Sequence, residues 1–243
     1  MVSSKTEIKR PNSEKTADVK KPKKRKLKRL YWLLAHLVAA TVIVVLLLYK
    51  PGRYHPLKID PAQSRQVSTY LTTDLLAPIH NAAQLGEPFD LTVTQAGIND
   101  IIARSKWPRD SGDARFSAPA VLFVPDSIVL MGTVALKGVE FVVTIVLEPS
   151  LDEQGLLNLR AAKLKVGAMN ITLLAKVIAR RMYQQRIEAV PIDKEDIGAK
   201  IAASLLNDEP FDPVFEVEGN KVRIEKVTIR KQELILRLIP LPD

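Results

Sequence analysis

The chain has no cysteine, and that one absence removes disulfides, thiolate metal sites and thiol nucleophiles together. It also leaves no cysteine beside the apolar segment to accept a lipid, which excludes a lipoprotein anchor. An oxidising compartment permits disulfides without requiring them, so the absence does not place the chain in a reducing one. Histidine is almost as scarce. Only His36, His55 and His80 occur, and none has an acidic or second histidine partner at ligand spacing, which argues against a His-based metal site or triad. A glycine-rich phosphate loop, H-E-x-x-H and G-x-S-x-G are all missing, as are internal repeats and low-complexity linkers. No catalytic residue, metal ligand or cofactor is therefore nominated.

What is present begins with a sharp boundary. A basic run, Lys20-Lys21-Pro22-Lys23-Lys24-Arg25-Lys26-Leu27-Lys28-Arg29, passes directly into the uncharged stretch Leu30 to Tyr49. Twenty residues in α-helix rise roughly 30 Å, the hydrocarbon thickness of a bilayer. Tyr31, Trp32 and Tyr49 stand at its two ends, where amphipathic rings favour the headgroup level. The segment 30–49 reads as a single transmembrane helix. A cleaved signal peptide is the competing interpretation, but a secretory apolar region is usually shorter and ends at a small-x-small site. The exit here, Leu48-Tyr49-Lys50-Pro51-Gly52-Arg53, offers none.

Charge is divided as unevenly as hydropathy. Residues 1–29 hold twelve Lys and Arg against Glu7, Glu14 and Asp18, a balance of +9, and the whole chain is also +9. The remaining 214 residues carry 24 basic and 24 acidic side chains and are neutral. The sequence pI of 9.6 thus describes the tail. A basic tail alone would suit nucleic acid by counterion release, yet positive charge beside a membrane helix is the ordinary signal that keeps an N-terminus in the cytoplasm. The expected partners are the bilayer, through residues 30–49, and anionic headgroups, through residues 20–29, with no nucleic acid. The expected organisation is a cytoplasmic tail (1–29), the membrane helix (30–49), a connector (50–59) and an extracytoplasmic α+β domain (60–243). Residues 51–59 reach roughly 30 Å at full extension.

Within the domain, Asp60 and Pro61 look like the start of a helix continuing to about residue 83. Val67, Leu71, Leu75, Ile79 and Ala82 share one face, and Pro78 is a point for a kink. Phe89–Val93 alternates as a strand, and Thr94 can cap a helix over Gln95–Ser105. After a polar loop, Lys106–Arg115, four strand-like runs follow at 116–124, 127–137, 139–148 and 156–166. The turn signals between them are Pro125-Asp126, Lys137-Gly138 and Asp152–Gly155. Such short connections make an antiparallel meander. Ile128, Leu130, Val134 and Leu136 share a face in the second run, and Phe141, Val143, Ile145 and Leu147 in the third. The opposite face is half apolar too, through Val129, Met131, Ala135, Val142 and Val146, so both sides require cover by helices, a partner or an apolar ligand. Met131 and its neighbours read as core before they read as a ligand wall.

A third helix is expected from Asn170 or Thr172 to about Arg186, with Ile171, Leu174, Ile178 and Met182 on one side. A fourth, capped by Asp193-Lys194-Glu195-Asp196, carries Ile197, Ile201 and Leu205 and ends before Pro210. Strands at Val214–Glu218, Val222–Arg230 and Leu234–Ile239 close the chain, with a bulge at Glu225-Lys226 where alternation breaks. The fold class is α+β: one N-terminal transmembrane helix, then a curved antiparallel sheet packed on amphipathic helices.

Isolated chemical candidates have plainer readings. Asp193, Glu195 and Asp196 sit where carboxylates stabilise a helix start, and Asp110-Ser111-Gly112-Asp113 reads as a turn. Asn170-Ile171-Thr172 matches a glycosylation tripeptide that is frequent by chance. Trp107 beside Pro108 caps a core edge more readily than it serves as an exposed contact. His36 reads as a neutral imidazole near the cytoplasmic interface.

The order of the pieces carries a further hint. LTVTQAGINDIIA (Leu91–Ala103), the paired strands SIVLMGTVALKGVEFVVTIVLEP, the acidic glycine turn Asp152–Gly155, and LLNLRAAKLKVGAMNITLL entering a helix resemble a group of bacterial envelope proteins. These are single-pass proteins and lipoproteins with a tubular-lipid-binding-like half-barrel, in which a strand ending in a V-G-x-M step leads to a helix. Val166-Gly167-Ala168-Met169 fits that step, whereas Asn170-Ile171-Thr172 replaces the proline-rich entry that often comes after it. The resemblance implies an apolar groove between sheet and helix able to hold lipid acyl chains. Leu130, Val134, Phe141, Val143, Ile145 and Leu174 are the candidate groove residues. The expected function is a membrane-anchored, extracytoplasmic, non-catalytic domain that binds lipid or another apolar ligand. The alternatives are an envelope interaction or scaffolding module and, third, an envelope enzyme.

Overall fold

The computed structural model describes residues 24–60, 63, 66–178, 181, 197–217 and 219–241. The chain forms two compact units, Met1–Val42 and Ile43–Asp243. Their boundary falls inside helix α1, Lys24–Leu47. Lys28–Leu47 is long and apolar enough to cross a membrane by length and composition. Two of its polar side chains bond back to the preceding turn: Thr41 Oγ1 donates to the Leu37 carbonyl at 2.9 Å, and His36 Nδ1 lies 2.7 Å from the Trp32 carbonyl oxygen.

The second unit contains two antiparallel sheets where the sequence suggests one. The larger has six strands in chain order: β2 (Arg109–Ser111), β3 (Ala114–Val124), β4 (Ser127–Leu136), β5 (Val139–Leu151), β6 (Leu157–Val166) and β7 (Met169–Asn170). The smaller runs β1–β10–β9–β8, from β1 (Phe89–Thr94), β8 (Val214–Val217), β9 (Asn220–Arg230) and β10 (Glu233–Pro240). The meander forms at the expected places. Its turns use the conformations their residues suit: Asp126, Lys137 and Gly138 have positive φ, and Asp152 Oδ1 accepts from the amides of Gln154 and Leu156. The bulge in β9 is also where alternation breaks, because Arg237 pairs with Lys226 and Leu238 with Ile224, leaving Glu225 over.

Two differences concern the loops and the first helix of the domain. The supposed polar loop contains β2, which forms a hairpin with β3 around Gly112 at φ +58. The helix expected from Asp60 begins only near Thr69. Asp60 instead starts a turn in which its carbonyl accepts from Gln63, and Val67 is exposed; residues 61, 62, 64 and 65 lie outside the described residues. The start is decided by Ser68, which is buried. Its hydroxyl donates to Asp100 at 2.6 Å and lies 3.4 Å from the Leu71 amide. A wide π-type segment, Tyr70–Leu76, then runs into α2 (Ala77–Leu85). It lies immediately before Pro78, which has no N–H for the Asp74 carbonyl and whose ring crowds it.

Helix α3 (Gln95–Arg104) solves a problem for the larger sheet. Residues 121–123 form the outer edge of β3, beyond the reach of the short β2, and their backbone groups lack a neighbouring strand. Two side chains of α3, one turn apart, take its place. Asn99 Oδ1 accepts from the Val121 amide at 2.8 Å and Nδ2 donates to the Val121 carbonyl at 2.7 Å, while Gln95 Oε1 accepts from the Phe123 amide at 2.9 Å. The edge is closed to further strands. Thr94 caps α3 through a bond from the Gly97 amide, as its sequence position suggests. Gly97 has to be small, because a Cβ there would overlap the ring of Tyr70.

One core cluster joins these parts. Val121, Phe123 and Leu157 of the six-stranded sheet pack with Leu91, Val93, Ile224, Ile229 and Leu238 of the smaller one, and with Ile79 from α2. Helix α4 covers residues 172–178 of the described chain. Ile197 and Ile201 of α5 (Ile197–Asn207) pack against the same cluster. Full burial of such side chains stabilises by about 1.5–3 kcal/mol each. The Asp193–Asp196 cap of α5 lies outside the described residues.

Candidate functional site

The larger sheet has two apolar faces, as its strands predict, and they are covered differently. Leu130, Ile128 and Leu159 turn toward the core cluster. On the opposite face two rows cross four strands: Leu122, Val129, Val146 and Lys163, then Ala120, Met131, Thr144 and Lys165. Met131, Val142 and Thr144 are nevertheless buried. The cover of this face is the end of α1 and the stretch of chain just after it.

Residues 46–54 are seated on the sheet by specific contacts. The Ala168 amide donates to the Leu46 carbonyl at 2.8 Å. Gly167, at φ +58, allows this approach, since a Cβ would overlap the carbonyl oxygens of Leu46 and Leu47. Farther along, the Tyr54 hydroxyl donates to the Ala118 carbonyl at 2.6 Å and pairs with Thr133 Oγ1 at 2.9 Å. The Ala118 carbonyl is free to accept because the β3–β4 ladder shifts register between Ser117 and Ala120. The shift sits at Pro119, which has no amide to give a ladder and belongs at bulges or edges. Gly132 lies opposite this irregularity, with the Ser117 carbonyl oxygen 3.6 Å from where a Cβ would stand. Burial raises the Tyr54 hydroxyl above the ordinary tyrosine range and the Glu140 charge adds to the rise, partly offset by the bond to Thr133. Residues expected to form a tether are thus held against the sheet.

The cover is incomplete. Between it and the strands lies a cavity of about 530 Å³, inside the range of roughly 300–1,000 Å³ usual for small-molecule sites. Val129, Met131 and Val146 are among its apolar lining residues, Tyr49 and Pro51 belong to the covering segment, and Arg53, Lys163 and Lys165 supply charge. The lining is apolar with one sign of charge. Thr144 contributes a hydroxyl, Oγ1, that is buried without a hydrogen-bond partner among the described residues.

The candidate groove residues lie elsewhere. Leu130 and Ile145 are a cross-strand pair, Val134 and Phe141 another, and Val143 faces Gly132. All five share the core-side face of β4 and β5, are half-buried, and do not line the cavity described above. Leu174 is 59 % exposed, beside Leu173, Val177 and Ile178, which are exposed as well. The expected apolar side of this helix therefore faces outward over its described length. Asn170 is engaged in capping: its Oδ1 accepts from the Thr172 amide and hydroxyl at 3.1 and 2.6 Å. Trp107 is half-buried, donates from Nε1 to the Ile102 carbonyl at 3.0 Å, and carries the Arg109 guanidinium 4.7 Å from its ring centre. It closes the C-terminal end of α3.

Sequence reasoning held that the face of Val129, Met131 and Val146 requires cover, and read Met131 and its neighbours as core before a ligand wall. It missed the cationic rim and Thr144. A signal was available, since Lys163 and Lys165 alternate with apolar residues on a strand whose neighbours carry Val146 and Thr144. In comparisons with known proteins, the chain matches no family model, no curated protein and no solved structure.

Proposed function

We propose that this is a membrane-anchored, non-catalytic domain that binds lipid or another apolar ligand on the outer side of the cytoplasmic membrane. In this reading the segment 30–49 spans the bilayer, the basic residues 20–29 hold the N-terminus inside against anionic headgroups, and residues 50–243 lie outside. The half-barrel resemblance supports it in outline. The observation that carries it is the apolar cavity whose cover, Tyr49 to Arg53, comes within a few residues of the membrane-spanning stretch. A ligand that leaves the bilayer along this stretch of chain meets the cavity first.

The test uses the full chain, extracted in mild detergent and weighed by native mass spectrometry. Lipid-sized mass increments that survive detergent removal are expected. A chain that carries none, and that takes up no fluorescent fatty acid, overturns the reading. An envelope scaffolding role is the second reading, favoured by the outward Leu173, Leu174, Val177 and Ile178. It predicts one stoichiometric co-purifying protein, lost on Leu173→Asp with Val177→Asp.

A further inference from the structure

We propose that the cavity under the connector selects a lipid with an anionic headgroup: its acyl chain lies on Val129, Met131 and Val146, and its phosphate is held by Lys163, Lys165 and Arg53. The inference rests on the lipid-binding reading and deepens it, moving the site from the core-side face of β4 and β5 to the opposite face.

Three independent features place charge and grease together. First, the register sets Lys163 directly across from Val146, and Lys165 across from Thr144, so both lysines share the face of the apolar floor and end its two rows. Second, the cavity lining contains three cations and no carboxylate. None of the three is ion-paired among the described residues, although the 24 acidic side chains after residue 29 equal the basic ones in number. Glu140, the carboxylate on this face of β5, stands at the Tyr54 end and does not line the cavity. A cationic cluster without local anions beside a low-dielectric wall is complementary to a phosphate oxygen. Third, the Thr144 hydroxyl is buried beside Met131 and Lys165 with no partner among the described residues. Buried polar groups are rarely left so; the hydroxyl is closed to solvent, and a headgroup or ester oxygen would accept its proton once its cover shifts.

The bilayer is the source because the connector is the cover. Tyr49, Pro51 and Arg53 line the cavity and lie only two to six residues beyond Leu47, the end of the spanning stretch. A displaced connector would open the cavity close to the membrane surface, and Arg53, on the connector itself, would close over the phosphate.

The experiment places the full chain in phosphatidylcholine vesicles containing a trace of lipid with a diazirine on one acyl chain. The probe is either phosphatidylglycerol or phosphatidylcholine with identical chains. After irradiation, peptides from β4, β5 and residues 48–59 are quantified by mass spectrometry. The phosphatidylglycerol probe is expected to label them several-fold more than the phosphatidylcholine probe. Lys163→Gln with Lys165→Gln should reduce the excess to the phosphatidylcholine level, and 1 M salt should reduce it in the intact chain. Val146→Trp, which fills the cavity, should abolish both signals. Equal labelling by the two probes, or an excess untouched by the lysine changes, overturns headgroup selection and leaves apolar binding standing. Labelling confined to α1 with either probe overturns both readings.

Discussion

The two faces of the six-stranded sheet are made from similar residues and are covered by different means. On one side Val121, Phe123 and Leu157 meet a second sheet and the helices α2, α3 and α5 in a contiguous core. On the other, Met131 and Thr144 line a cavity beneath the irregular segment that follows α1, which is held by the end of that helix at Leu46 and by Tyr54. The first arrangement excludes everything else. The second leaves a cavity, because an irregular segment lacks the side-chain density of a helix or sheet. Apolar residues therefore say that a surface is covered, whereas the nature of the cover decides whether a ligand can enter.

The comparison breaks most visibly at the core. Phe123→Ala, at a site 3 % exposed, should cost about 3–5 kcal/mol and shift the urea midpoint of the whole second unit. Removing the edge closure comes next. Asn99→Ala leaves the Val121 amide and carbonyl without their bonds and should cost about 1–3 kcal/mol, read from the same urea curves. Gly167→Ala attacks the other face. Positive φ and overlap with the Leu46 and Leu47 carbonyls together cost roughly 1–3 kcal/mol. That loss should appear as faster amide hydrogen exchange in residues 46–59, with exchange in β9 and β10 little changed.

Tyr54→Phe is gentler, removing two hydrogen bonds at about 1 kcal/mol. It also carries a pH signature. A tyrosine held above its ordinary value of 10.0 binds its proton more tightly when folded, so its contribution is complete below pH 10 and is lost as pH rises through the folded value. Connector exchange in the native chain should therefore quicken on the alkaline side, a limb absent in Tyr54→Phe. The smallest effect is at Asp100. The Arg104 guanidinium, and then the Ser68 hydroxyl, hold this carboxyl below its ordinary 3.8. Its contribution is present above that value and is lost as pH falls through the depressed one. Asp100→Asn should flatten the acid limb of a stability–pH profile.

The meander was legible because its signals are local. Period-two alternation marks the strands, and Pro125-Asp126, Lys137-Gly138 and Asp152–Gly155 supply the turn conformations. The β9 bulge was legible for the same reason. Pro119 carried an equally local signal for the bulge in β3 that escaped notice. The helix start at Ser68 was not legible: Asp60 and Pro61 have good capping chemistry, but Ser68 is held by Asp100 thirty-two residues away. Nor was the role of Gln95 and Asn99, whose one-turn spacing looks like an ordinary polar helix face until β3 is laid alongside. The candidate groove residues came from the groove that the resemblance implies, and the apolarity of their strands does not separate a packed core from a lined cavity.

The sequence alone determined the apolar stretch able to span a bilayer, its basic flank, the overall neutrality of residues 30–243, the α+β class and most strands. All but the neutrality depend on neighbours a few residues apart, and the neutrality needs only a count. The tertiary structure decided what covers each sheet face, why Gly97 and Gly167 must lack a side chain, and that residues 46–54 form part of the folded unit. Those outcomes depend on which backbone atoms meet across tens to more than a hundred residues of chain, and no local pattern encodes that.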